Sequence, residues 1–189
     1  MAETNPITLN EFYTTLKDGV MTRHQFQLVF NSKGVSGRDF SVYAESTTLP
    51  GSKITAEAVF FYGIPFQVPS NLNYDQEWSV VIRCDKKANI RGKLEDWMNQ
   101  IVSLYDSSAG NYKGVIPSDT VDVMLLDPSL KNSTRTYVLE GLFPTTLGEL
   151  SLDHKDSGVQ TFTTTFAFQY WWVKNAEGTA GQIGVDPLA

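Results

Sequence analysis

The stretch TFTTTFAFQYWW, residues 161–172, decides how the chain is read. Phe162, Phe166, Phe168, Tyr170 and Trp172 share one parity, while Thr161, Thr163, Thr165, Ala167 and Gln169 share the other. Alternation at period two marks a β-strand with a ring-bearing face and a small, polar face, and both residue classes suit a pleated, half-buried surface. The pattern predicts one continuous strand, with Phe162, Phe166, Phe168 and Tyr170 closing a core. Trp171 breaks it, placing a large ring on the polar face at the strand's end, where it must meet a loop, solvent or another subunit.

Outward from this segment, period two recurs at Phe26, Leu28 and Phe30 and again at Phe40, Val42 and Ala44, separated by the turn-rich NSKGVSGRD. This predicts a hairpin. Trp78, Val80, Ile82 and Cys84 mark another strand, and further ones are expected at 121–125, at 137–141 and around Leu150 and Leu152. The period changes to that of a helix at Leu94, Trp97, Met98, Ile101 and Tyr105, giving a principal helix over about 93–105. Thr8 and Glu11 have the spacing of a capping box, ahead of Leu9, Phe12, Tyr13 and Leu16, which predicts a short helix over 9–18.

The expected fold is therefore mainly β: an antiparallel β-sandwich or barrel with one principal helix and a short N-terminal one. A single domain over 1–173 is expected, followed by a Gly- and Ala-rich flexible tail over 174–189. Between Ile54 and Val68 the apolar residues Val59, Phe60, Phe61, Tyr62, Ile64 and Phe66 crowd around Gly63 and point both ways. A strand apolar on both faces needs cover on both sides, and in one small domain the second cover is expected from a neighbouring chain.

Composition narrows the function. With 41% hydrophobic and 19% charged residues among 189, the chain can bury a full core and is not of the disordered class. It has no apolar run of the roughly 18 residues a spanning helix needs, so no membrane partner is expected. The N-terminal MAETNPITLN lacks the pattern of a secretory signal, and the lone Cys84 fits synthesis in a reducing cytoplasm. A net charge of -6 argues against tight binding of nucleic acid, whose affinity comes largely from Lys and Arg neutralising phosphates.

The residue types of catalysis occur without their arrangement. His154 in SLDHKDSG stands among Ser151, Asp153 and Asp156, but triad members are held on separate elements, whereas this run beside Gly158 reads as a solvated turn. Asn71, Asn73 and Asp75 imitate a calcium loop that fails at Gln76, where Gly is needed, and at Ile82, where the bidentate Glu should stand. No phosphate-binding loop is present in the sequence. No enzymatic activity, metal or cofactor is therefore expected, and the aromatic surplus points to assembly.

From Gly141 to Trp172 the chain resembles the closing segment of contractile-tail bacteriophage tail tube proteins. The residues that carry the likeness are Gly141-Leu142-Phe143-Pro144-Thr145, Gly148-Glu149-Leu150 with Leu152-Asp153, Gln160-Thr161-Phe162 and Tyr170-Trp171. Upstream, Phe26-Gln27-Leu28, Thr48-Leu49-Pro50, Trp78-Ser79-Val80 and Trp97 follow in the same order, so the resemblance spans about residues 9–172. It implies a virion protein whose hexameric rings stack into a hollow tube. Its implied partners are further copies of itself, a sheath, a baseplate and a tape-measure protein, and double-stranded DNA would pass through without specific binding. Phe60, Phe61, Tyr62, Phe66 and Trp171 become candidates for inter-subunit contact, and Glu45, Asp75, Glu77, Asp122, Glu140 and Glu149 for a phosphate-repelling lumen. Two alternatives stay open: the tube of a phage-derived injection or secretion device, and a β-sandwich carbohydrate-binding module with exposed stacking rings.

Overall fold

The computed structural model describes residues 8–17, 19–32, 36–37, 39–73, 75–102, 119–155 and 157–175. Two antiparallel sheets face each other, and a separate hairpin stands clear of both. The first sheet has the order β11-β8-β7-β1-β2, built from β11 (Tyr170–Asn175), β8 (Ser133–Glu140), β7 (Thr120–Leu126), β1 (Phe26–Asn31) and β2 (Ser36–Gly37). The second has the order β3-β6-β10-β9, from β3 (Ala44–Thr47), β6 (Glu77–Arg83), β10 (Thr161–Ala167) and β9 (Phe143–Leu147). The hairpin is β4 (Lys53–Phe61) with β5 (Ile64–Asn73). The fold is mainly β and sandwich-like, and neither sheet closes into the barrel the sequence allowed.

The quoted stretch is two strands in two sheets, which corrects the single strand expected from its parity. β10 ends at Ala167, the chain turns through Phe168 and Gln169, and β11 then pairs with β8 in the facing sheet. The alternation restarts at this corner, so parity before it says nothing about parity after it. Phe162, Thr164 and Phe166 point into the core, and Phe168 fills the corner between the sheets. Beyond it, Trp171 and Val173 pair with Leu139 and Tyr137 and turn inward, the Trp171 ring lying 5.9 Å from that of Tyr137. Tyr170 and Trp172 take the outer face. The premise that put Trp171 on the polar face is thus overturned.

The core is formed by Leu28, Phe30, Val121, Val123 and Leu139 of the first sheet against Trp78, Val80, Ile82, Phe162 and Phe166 of the second. Aromatic packing ties the layers together, with Phe30 and Phe166 rings 5.9 Å apart and Trp78 and Phe166 5.5 Å apart, within the usual range for favourable ring pairs. Along β6 the buried residues are Trp78, Val80 and Ile82, the period-two face read from sequence.

The principal helix, α3, runs Asn89–Ile101, four residues earlier in its start than the sequence placed it. It begins there because the Asp85 carboxylate accepts from the Ile90 backbone N–H at 3.1 Å, occupying one of the donors a helix start leaves unpaired. Beside β9, it buries Ile90, Leu94 and Trp97, and the Trp97 ring lies 6.0 Å from Phe166. Arg91 fastens it, donating to the Gly148 carbonyl at 2.8 Å while its guanidinium stands 5.5 Å from the centre of the Phe162 ring.

Other boundaries also move. The segment expected to pair with Phe26–Phe30 folds instead as a short helix, α2 (Asp39–Tyr43), that buries Phe40 against Phe30, and Ala44 opens β3 in the opposite sheet. The true partners of β1 are β7 and the two-residue β2. No strand forms around Leu150 and Leu152; Leu152 is exposed, while the neighbouring Phe143–Leu147 makes the edge strand β9 that the period-two reading missed. The N-terminal helix, α1 (Leu9–Leu16), carries its capping box as expected, the Thr8 N–H reaching Glu11 at 2.8 Å. Of the predicted tail, Lys174 and Asn175 belong to β11 and the remainder lies outside the described residues, as does Tyr105.

Candidate assembly interface

Among the described residues, large apolar side chains are left in solvent at two main places, and the larger is the β4–β5 hairpin. Its strands are nine and ten residues long, so it reaches roughly 30 Å at the rise of a β-strand. Tyr62 and Gly63 form its turn, with φ of 49° and 80°. Positive φ at both central positions is the type I′ geometry whose twist matches that of the flanking strands. The Phe61 and Tyr62 rings meet edge to face at 4.6 Å at the tip.

Among the described residues, none covers either face of the hairpin. The register puts Phe60, Ile54 and Leu72 on one face and Val59, Phe61, Ile64, Phe66 and Val68 on the other. Phe60 is 70% exposed, Tyr62 91% and Phe66 52%. An unpartnered hairpin is at best marginally stable in water, and an apolar strand pair of this size is an association surface or an aggregation liability. Polar pairs stiffen the root, where Asn73 donates to Thr55 at 2.8 Å and Ser70 to Glu57 at 3.0 Å. The approach to β4 is anchored to the core, since the buried Trp78 donates its indole N–H to the Thr48 carbonyl at 2.8 Å. The arm is therefore mounted on a rigid base.

The second place is α1, whose Leu9, Phe12, Tyr13 and Leu16 lie at helical spacing along one side and are all exposed. Between the segment that precedes β1 and β3, an open cleft of about 960 Å³ is lined by Met21, His24, Phe26, Glu45, Thr47 and Leu125, among others.

The sandwich separates the acidic candidates. Glu45 and Glu77 belong to the outer side of the four-stranded sheet, where Glu45 pairs with Arg83 at 3.3 Å, and Asp75 precedes β6. The same side carries Ser79, Thr161, Thr163 and Thr165, with Ser79 and Thr165 hydroxyls 3.3 Å apart. Asp122 and Glu140 lie on the outer side of the five-stranded sheet, on the opposite flank of the molecule. There Glu140 accepts from the Tyr170 hydroxyl and, at 2.6 Å, from the Trp172 indole. Burial raises the Asp122 carboxyl above its ordinary value; Lys174 opposes the shift and Glu140 reinforces it. Glu149 is exposed in the loop after β9. The acidic candidates thus stand on two opposite flanks of the sandwich. His154 lies in an exposed turn in which Lys155 N–H donates to Asp153, as its surrounding residues predict.

Residues 9–174 match the family model described as phage tail tube protein. The chain belongs to that family. Among curated relatives it is similar to tail tube protein gp19 of Enterobacteria phage T4, with 26% identity over 136 residues, or 71% of this chain and 82% of the relative. The corresponding protein of Enterobacteria phage T6 matches to the same extent. Among solved structures, a chain of the anti-feeding prophage baseplate superposes with a TM-score of 0.60 at 13% identity, over 82% of this chain and 95% of that one. A chain of the sheath-tube complex of the PVC extracellular contractile injection system in its extended state gives 0.59 at 12% identity, over 90% and 99%. These likenesses show the same fold in chains of a baseplate and of a sheath-tube complex. The family is a structural one.

Proposed function

We propose that this chain is the subunit of the inner tube of a contractile phage tail, forming hexameric rings that stack into a conduit for genome delivery. The observation that carries the reading is the β4–β5 arm, apolar on both faces, uncovered in the single chain and fixed to a well-packed sandwich. Identical head-to-tail contacts close a ring when one surface of each subunit fits a different surface of the next. Family membership supports the tube, and the likeness to chains of a sheath-tube complex and a six-fold symmetrised baseplate supports the ring and the sheath and baseplate as partners.

The outer side of the four-stranded sheet suits the lumen better than its counterpart. It presents small hydroxyl side chains from Ser79, Thr161, Thr163 and Thr165 with Glu45 and Glu77, and its Arg83 is paired with Glu45, whereas the five-stranded sheet presents the rings of Tyr170 and Trp172 and Lys174 beside Asp122 and Glu140. A conduit for DNA should hold water and repel phosphate without offering rings or cations to bind it.

The test is electron microscopy of the purified protein across a concentration series, with light scattering on the same samples. Hollow tubes are expected from the wild type, and Phe61→Ser with Tyr62→Ser should abolish them while leaving the monomer's near-UV circular dichroism intact. Tubes that grow normally from the double variant would remove the arm from the interface.

A further inference from the structure

The two strands of the arm are not equivalent at their outer edges. In an antiparallel pair, residues facing each other alternate between those that exchange both backbone hydrogen bonds and those whose N–H and C=O point away from the partner strand. The two-residue turn at Tyr62 and Gly63 is closed by the pair Phe61 and Ile64, which makes that pair a hydrogen-bonded one. Phe60 with Pro65 is then an outward-pointing pair, and the alternation carries the same class to Ala58 with Gln67 and Ala56 with Pro69. The prolines lead independently to the same phase, because a residue without an N–H is tolerated in a ladder only where that N–H would face away.

The outward positions of β5 over this stretch are therefore Pro65, Gln67 and Pro69, of which Gln67 alone has a donor. Those of β4 are Ala56, Ala58 and Phe60, each with a donor and an acceptor. Proline on an exposed edge is a standard defence against unwanted pairing, and a bare edge with a full set of donors is a template for another strand. One edge of this arm is defended and the other is open.

We propose that a second copy of the chain adds an extended segment to the outer edge of β4, while the outer edge of β5 takes none. This rests on the self-assembly just argued and gives it a direction. With only one competent edge, the arm makes a contact of single sense, as a closing ring requires.

The test compares Ala58→Pro with Gln67→Pro, which face each other across the hairpin and remove an outward N–H each without touching a hairpin bond. Gln67→Pro should form tubes at the wild-type critical concentration, whereas Ala58→Pro should remain unassembled with an intact sandwich by near-UV circular dichroism. Tubes from Ala58→Pro would overturn the proposal. Hydrogen exchange on wild-type tubes covers the case in which both variants fail: the amides of Ala56, Ala58 and Phe60 should exchange at least about tenfold more slowly than in the monomer, and that of Gln67 at close to its monomer rate. Protection of Gln67 without protection of Ala58 would equally overturn it. Failure of the wild type itself to assemble would strike the tube reading and is a separate result.

Discussion

The sandwich and the arm are written in the same residues and use them in opposite ways. In the sandwich, Phe30, Phe40, Trp78 and Phe166 meet one another at ring distances of about 5–6 Å and are almost wholly buried. In the arm, Phe60, Phe61, Tyr62 and Phe66 are equally apolar and stand in solvent. The patterns differ in one respect: sandwich strands such as β6 alternate apolar with polar, while β4 and β5 are apolar on both sides. A one-sided strand can be satisfied by its own chain. A two-sided one with no described residue above or below it is left uncovered, and on our proposal it is addressed to another chain; that difference is written in the sequence before any folding takes place.

Phe166→Ala and Phe66→Ala put this contrast to its severest trial. Removing the fully buried Phe166 ring should cost about 3–5 kcal/mol, as large-to-small core changes do, and both the monomer and its tubes should be lost or strongly destabilised. Removing the exposed Phe66 should change monomer stability by no more than about 0.5 kcal/mol and weaken assembly instead. Urea unfolding of the two variants, followed by microscopy, reads both effects. A comparable loss of monomer stability from Phe66→Ala would mean that the arm folds back on its own chain.

A pair of glycines sharpens the same division at smaller magnitude. A Cβ at Gly148 would stand 2.5 Å from the Thr163 carbonyl oxygen, which is rigid backbone and already accepts the Gly148 N–H at 2.7 Å. Gly148→Ala must push β9 off β10 and should cost about 1–3 kcal/mol of monomer stability. Gly63 has open space around it but a φ of 80°, so Gly63→Ala pays about 1–2 kcal/mol of local strain. That strain belongs to the hairpin alone. The sandwich melting transition should stay where it was, and the critical concentration for tubes should rise.

Much of this was legible from period and composition: the mainly β class, the face of β6 that carries Trp78, Val80 and Ile82, the helix bearing Trp97, and the two-sided segment around Gly63. What escaped were changes of sheet. Nothing local marks Phe168 and Gln169 as a corner, because the ring spacing runs on across it; only the facing partner β8 shows that Trp171 and Trp172 have exchanged sides. Phe40 was readable as buried, but its place on a helical turn comes from packing against Phe30, which overrides the alternation of its neighbours. For the candidate site, the arm's residues were legible because exposure on two faces is a pattern in sequence. The flank that each acidic candidate takes was not, since an acid's parity fixes its face within a sheet while only the order of strands assigns that sheet to one flank or the other.

The smallest effect concerns a carboxylate that the sandwich half-buries, a setting the arm does not offer. On the outer side of the five-stranded sheet, Asp122 of β7 lies diagonal to Glu140 of β8, with Lys174 of β11 nearby. Burial is the leading reason its carboxyl is raised above the ordinary value; the attraction of Lys174 works against this and the like charge of Glu140 adds to it. The folded chain thus keeps the Asp122 proton to a higher pH than the unfolded chain does. Stability associated with this group is complete below the unfolded value and is lost as pH rises through the folded one, so at neutral pH the ionised Asp122 is a net burden on the monomer. Asp122→Asn should melt at a higher temperature than the wild type at pH 7, and the gap should close at pH 3, where the wild-type carboxyl is protonated in both states. A variant that melts lower at pH 7 would show that the pairing with Lys174 outweighs the cost of burial. The outer flank would then be held by that longer-range attraction, in contrast to the direct ion pair of Glu45 with Arg83, at 3.3 Å, on the outer side of the four-stranded sheet.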